Sequence, residues 1–144
     1  MKVNLNKYIQ ILIYVTVPLF LGGVVGIINR SNFDDYTGIV PGFVFPIVWS
    51  ILYVLMGISS YLVRYNNRLI CIYIVNLVFN FFWTFIFFMF NLKVIAFFWI
   101  LLLILIVGIM IYEFYKENKI SAYLLIPYFL WLCFASVLNL LQII

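Results

Sequence analysis

Leu69 to Leu92 reads LICIYIVNLVFNFFWTFIFFMFNL, a run with no charged side chain. Arg64 and Arg68 precede it and Lys93 follows it. A helix rising about 1.5 Å per residue needs about 20 residues to cross about 30 Å of hydrocarbon, and this run is long enough. It lacks the strict apolar/polar alternation of a barrel strand, so its backbone groups must be satisfied within a helix. The same pattern repeats outward in both directions. Charge-free or nearly charge-free stretches run from about Tyr8 to Asn29, from Tyr36 to Val63, from Val94 to Tyr112 and from Ile120 to Ile144. Charged residues stand only outside them. The predicted architecture is an all-α membrane protein, a bundle of five transmembrane helices spanning about residues 8–29, 45–63, 69–90, 94–115 and 122–143.

With 144 residues and short connections, the chain has room for a single five-helix transmembrane domain, residues 1–144. The net charge of +4 comes from basic residues scattered singly at span ends, which suits lipid headgroups and topology rather than a nucleic-acid groove. Lys2, Lys7, Arg64, Arg68, Lys116 and Lys119 fall on one side, and Arg30 and Lys93 on the other. This balance predicts a cytoplasmic N-terminus and an external C-terminus in a bacterial inner membrane. The first apolar segment lacks an A-x-A-like cleavage site and is read as a retained span. Cys71 and Cys133 lie in separate spans and read as apolar core residues rather than a disulfide.

Three spans carry aromatic, amide or small residues at i+3 and i+4 spacing, hence on one face each. These are Trp49, Tyr53, Gly57 and Ser60; Asn76, Asn80, Trp83 and Phe87; and Tyr128, Trp131, Ala135 and Asn139. Two readings stand side by side. The amides glue helices together through hydrogen bonds, or the stripes converge on an aromatic pocket for a large apolar ligand. On the pocket reading, Leu132 points away from the fifth-span stripe. In the first span, Gly22 and Gly26 form a small-xxx-small pair, serving either packing within the bundle or a homodimer seam. Pro127 either begins the regular fifth helix or kinks it. The connection from about Arg30 to Phe43 is the longest, long enough to fold over a cavity mouth.

No Asp, Glu, Lys or Arg is centred in a span and the chain has no His, which argues against a proton relay. It also removes the usual proximal haem ligand, most zinc sites and every familiar acid–base triad. No metal site and no required cofactor is expected. Any chemistry would be supplied by a bound pigment, with Trp as electron donor.

The run Pro41-Gly42-Phe43-Val44-Phe45-Pro46-Ile47-Val48-Trp49-Ser50-Ile51-Leu52-Tyr53 to Gly57 resembles the second-helix signature of the translocator protein family. This family is also called tryptophan-rich sensory protein or peripheral-type benzodiazepine receptor, TspO/MBR. Asn76 to Trp83, leading to Phe87-Phe88, is similar to its third-helix motif, and Leu125 to Asn139 to its fifth. The resemblance covers the whole chain in length, span count and motif order, and implies a bacterial member. It implies a five-helix bundle, often a homodimer, with a ligand cavity closed by a lid in the first loop. The implied ligands are protoporphyrin IX and related tetrapyrroles, and isoquinoline-carboxamide or benzodiazepine compounds. Carried over by motif, the ligand-binding residues are Trp49, Tyr53, Asn76, Asn80, Trp83, Trp131, Ala135 and Leu138.

If light- and oxygen-dependent porphyrin degradation occurs, Trp49 and Trp131 are its catalytic residues. The resemblance thus implies a tetrapyrrole receptor or sensor. A porphyrin-degrading enzyme is the alternative, and a helix-packing partner or transporter accessory without a small ligand is another. A porphyrin's propionates are expected at the first-loop mouth, with Arg30 as the only nearby cation. Departures are specific: Val40-Pro41-Gly42-Phe43 stands where Pro-Pro-Gly-Trp is common, and Asn76 where Gln is common. Leu140 to Ile144 lacks the Tyr and Arg of the vertebrate cholesterol pattern.

Overall fold

The structure, a computed structural model, describes the backbone of residues 2–144 and the side chains from residue 6 onward. The side chain of Lys2, which entered the charge balance, lies outside the described residues. Helix α1 covers Lys2–Ile28, α2 Arg30–Asp34, α3 Val44–Leu62 and α4 Asn67–Thr84. A π-helical turn over Phe85–Met89 continues α4; then follow α5 Lys93–Glu117, α6 Lys119–Leu124 and α7 Ile126–Leu141. Among the described residues, five helical segments are long and apolar enough to cross a membrane: Asn6–Ile28, Val44–Leu62, Asn67–Met89, Lys93–Glu117 and Lys119–Leu141. The protein is an integral membrane protein with an all-helical fold.

Side chains mark several helix ends. Asn66 caps α4 by accepting from the Leu69 N–H at 3.4 Å, and Asn118 caps α6 by accepting from the Ser121 N–H at 3.1 Å. Such caps satisfy amide donors that have no partner within the helix. The fifth span breaks at Leu125, and Pro127 falls in the first turn of α7, where its missing N–H costs nothing. Pro127 therefore begins a helix at a break in the span.

Around the bundle α1 packs on α3, α3 on α6, the α6–α7 pair on α5, and α5 on α4, while α4 meets α1 only sparingly. The backbones of α1 and α3 approach closely at Gly57. A methyl added there would stand 2.6 Å from the Tyr14 carbonyl oxygen and 2.7 Å from Val15 Cα. Ser59 and Ser121 clasp α3 to α6, each hydroxyl donating to the other's carbonyl oxygen, at 2.8 and 2.7 Å. Trp99 ties α5 to α4 through an Nε1–H bond to the Phe79 carbonyl at 2.8 Å, with its ring stacked on Phe79. Asn139 donates to the Lys93 carbonyl at 2.8 Å and holds the start of α5 against α7.

The π turn brings two consecutive aromatic side chains, Phe87 and Phe88, into the core. Lys93 caps it: Nζ donates to the Phe87 carbonyl at 2.9 Å and lies 3.7 Å from that ring's centre. Asn91 supplies the left-handed residue, φ 55°, that ends the span, a conformation in which Asn is several-fold enriched. Phe33 of α2 and Tyr36 pack edge-on against Phe88 at 4.6 and 5.8 Å, and Phe45 at 5.1 Å completes the cluster. The first loop is thus pinned to the bundle by aromatic contacts. Gly42 is required there, because any Cβ would run into the Phe33 carbonyl oxygen.

Candidate ligand-binding site

A cleft of about 380 Å³ opens between α1, the first loop and α3. Gly22, Gly23 and Gly26 form one wall, and Phe43, Pro46, Trp49 and Tyr53 the other. Arg30 and Asp34 stand in its lining beside Phe33, and Thr84 contributes from α4. The glycines play different parts. A Cβ on Gly22 would collide with the Tyr53 ring, so Gly22 packs against a side chain of the same chain. A Cβ on Gly23 or Gly26 would meet nothing within 4 Å, so these two leave the wall flat and open.

Behind the cleft the bundle centre is filled by side chains. Trp49 stacks on Tyr53 at 5.7 Å and touches Tyr128 and Trp83 at 5.9 and 6.4 Å between ring centres. Trp83 in turn stacks on Phe87 at 5.1 Å. A buried hydrogen-bond chain links three spans: Tyr53 Oη donates to Asn80 Oδ1 at 2.8 Å, Asn80 Nδ2 to Tyr128 Oη at 3.1 Å, and Tyr128 Oη to Asn76 Oδ1 at 2.9 Å. The helices approach one another through tyrosines and amides here rather than through backbone contact. Asn76 Nδ2, Trp83 Nε1 and Trp131 Nε1 are among the buried donors that lack a partner among the described residues.

Of the residues singled out from the sequence, Trp49 and Tyr53 line the cleft. Asn80 and Trp83 contact those two from the interior, and Asn76 is joined to them through Tyr128. Trp131 is half-buried, edge-on to Phe45 at 6.0 Å, and does not line the cleft. Ala135 is buried in the core at 1 % exposure. Leu138 lines a separate cavity with Tyr36, Thr37 and Gln142.

Two expectations need correction. Leu132 does not point away: it is fully buried, because α7 turns Tyr128, Leu132, Ala135 and Leu138 inward at heptad-like spacing. Arg30 is not the only cation near the first loop, since Lys93 Nζ lies 6.0 Å from the Tyr36 ring centre. The folded π turn carries Lys93 back under that loop, which no spacing along the chain reveals. Burial raises the Tyr36 phenol above its ordinary pKa, so it stays neutral beside this lysine. The residues missed from sequence are Gly23 and Gly26 as cleft wall, Tyr128 as the network's hub, and Phe33. A glycine facing open space looks the same in a sequence as one facing a neighbouring helix.

The family model described as TspO/MBR family matches residues 14–143, nearly the whole chain. No curated protein matches it.

Proposed function

The chain belongs to the TspO/MBR family, and from that premise we propose that it binds a tetrapyrrole in the cleft between α1 and α3. Membership supports a membrane sensor or receptor role in general. The observation that carries the finer reading is the pairing of a flat glycine wall with an aromatic one, with Arg30 beside them. A porphyrin is a flat apolar disc with carboxylates on one edge. Its faces fit between the Gly23–Gly26 backbone and Trp49, and its propionates fit the guanidinium of Arg30. At about 380 Å³ the space lies near the lower end of ordinary small-molecule pockets, about 300–1,000 Å³. A porphyrin therefore leaves its acidic edge outside, and smaller isoquinoline-carboxamide or benzodiazepine compounds enter completely. By the charge balance, the first loop and the cleft mouth face the external side of a bacterial inner membrane.

Light- and oxygen-dependent breakdown of the bound porphyrin is a second reading. It is favoured by Trp49, which lines the cleft and is in ring contact with Tyr53, Trp83 and Tyr128, each an oxidisable donor.

Titration of the purified protein with protoporphyrin IX, followed by tryptophan quenching, tests the proposal. Gly26→Leu fills open space without touching the fold and should weaken binding by about 5- to 150-fold. Arg30→Gln should weaken the free diacid and leave the dimethyl ester unaffected. Wild-type affinity in Gly26→Leu would remove this cleft from the reading.

A further inference from the structure

At the opposite end of the bundle, on the outer surface, α4 and α5 enclose a second, almost wholly apolar groove. Arg68, Cys71, Ile72 and Val75 line it from α4, and Ile106 and Ile109 from α5. Residues 68 to 75 span about 10 Å of helix, so the groove runs from the membrane boundary into the hydrocarbon. Cys71, Val75 and Ile109 are exposed along it. Its head is charged. Glu113 is tucked in, with its side chain 17 % exposed, between Arg68 at 3.7 Å and Lys116 at 3.2 Å. The trio carries one net positive charge, and the Arg68 side chain, 73 % exposed, presents it outward. Arg64 is otherwise engaged, donating to the Tyr61 carbonyl and the Tyr65 hydroxyl. Across this end Lys7, Arg64, Arg68, Lys116 and Lys119 outnumber Glu113 and Glu117.

We propose that this groove is a binding site for one anionic phospholipid of the leaflet on the N-terminal side, its phosphate on Arg68 and one acyl chain along Cys71, Val75 and Ile109. An apolar channel headed by a single outward guanidinium matches the two parts of such a lipid. The acyl chain removes apolar surface from competing contacts, and the guanidinium meets phosphate oxygens in a charge-assisted fork. The surplus of basic over acidic groups around the head selects anionic over zwitterionic headgroups. Arg68 and Glu113 share a weak ion pair, so the lipid phosphate competes with a carboxylate for the same guanidinium.

The test uses full-length protein in nonionic detergent, titrated with phosphatidylglycerol or phosphatidylcholine of identical chains. Lipid adducts are read by native mass spectrometry, and N-ethylmaleimide labelling of Cys71 is measured with Cys133 as internal reference. Phosphatidylglycerol should bind about fivefold more tightly, the effect of about one interfacial charge, and should slow labelling of Cys71 but not of Cys133. Arg68→Gln should abolish the preference. Glu113→Gln, which frees Arg68, should strengthen it, and Val75→Trp should weaken binding of both lipids by filling the groove. Equal binding of the two lipids overturns the proposal, as does a preference unchanged in both Arg68→Gln and Glu113→Gln. Protection of Cys71 that tracks dimer formation rather than added lipid overturns it in favour of a second copy. Should Arg68→Gln fail to fold, the Glu113 and Val75 variants decide alone.

Discussion

Replacing Tyr128 by Phe removes one oxygen and two hydrogen bonds from the centre of the bundle. That hydroxyl donates to Asn76 Oδ1 at 2.9 Å and accepts from Asn80 Nδ2 at 3.1 Å. Asn76 Nδ2 already lacks a partner, so the Asn76 amide would lose its remaining side-chain bond. Tyr53→Phe is the matched comparison, because it strips only the donation to Asn80 Oδ1 at 2.8 Å. An orphaned buried polar group costs about 1–3 kcal/mol in soluble proteins. Interhelical bonds in membranes average nearer about 0.6 kcal/mol, because the dispersed helices find other partners. Taking about 1 kcal/mol per orphaned group between these limits gives about 1 kcal/mol for Tyr53→Phe and about 2 kcal/mol for Tyr128→Phe. The second figure corresponds to about 30-fold in the unfolding equilibrium. Reversible unfolding in mixed micelles of rising dodecyl sulfate fraction measures both. Because both tyrosines act on Asn80, the double variant should cost less than the sum of the singles. If Tyr128→Phe costs no more than Tyr53→Phe, Tyr128 is not the hub and the hydrogen-bond chain contributes little.

Gly57→Ala should destabilise by about 1–3 kcal/mol, since its new methyl meets backbone atoms of α1 that cannot rotate away. Gly108→Ala, whose nearest neighbour is 3.8 Å off, should be neutral or better in the same thermal-shift assay. Ala135→Leu should also cost about 1–3 kcal/mol by overpacking a site only 1 % exposed, whereas Val137→Leu, 53 % exposed, should unfold with wild type. A periplasmically active reporter fused after Ile144 should be active and one in the Lys116–Ser121 segment silent, and the reverse pattern would invert the orientation. Under illumination with oxygen, the Trp49→Phe/Trp131→Phe double variant should convert bound porphyrin more slowly, read by the absorbance of the product. Turnover equal to wild type would take both indoles out of that chemistry.

The five spans were legible because charge is costly in hydrocarbon, so Arg64, Arg68 and Lys93 had to stand at the ends of their stretch. The buried faces of α3 and α4 were legible for a related reason. Polar atoms such as the Asn76 and Asn80 amides cannot face lipid, and both are fully buried. What those amides bond to was not legible, because Tyr128 reaches them from a helix about fifty residues away. On α7 the inward stripe holds Leu132 rather than Trp131 at its second position. These two residues flank the same helix face, and only the angle at which α7 meets its neighbours chooses between them. The cleft was hidden for a different reason: it is bounded by what Gly23 and Gly26 lack.

The π turn at Phe85–Met89 has a consequence for how this chain tolerates change in length. A π turn is an α-helix carrying one surplus residue, accommodated by a wider loop of backbone. Deleting one residue of this segment therefore need not break the third span, since a regular helix of one residue fewer reaches the same end. Everything on the near side would keep its bearing, including Asn76, Asn80 and Trp83. Everything beyond would also keep its bearing, because the wide turn already absorbs the rotation of about 100° that losing one residue imposes on a regular helix. Only one of the two adjacent phenylalanines could then stay in the core beneath Phe33 and Tyr36, and the Phe87 carbonyl would return to the helix ladder, leaving the ammonium of Lys93 without its acceptor. One-residue deletions at 85–89 are thus expected to give a folded bundle whose first loop has lost its anchorage, while one-residue deletions in α3 or α5 are expected to scramble a whole buried face.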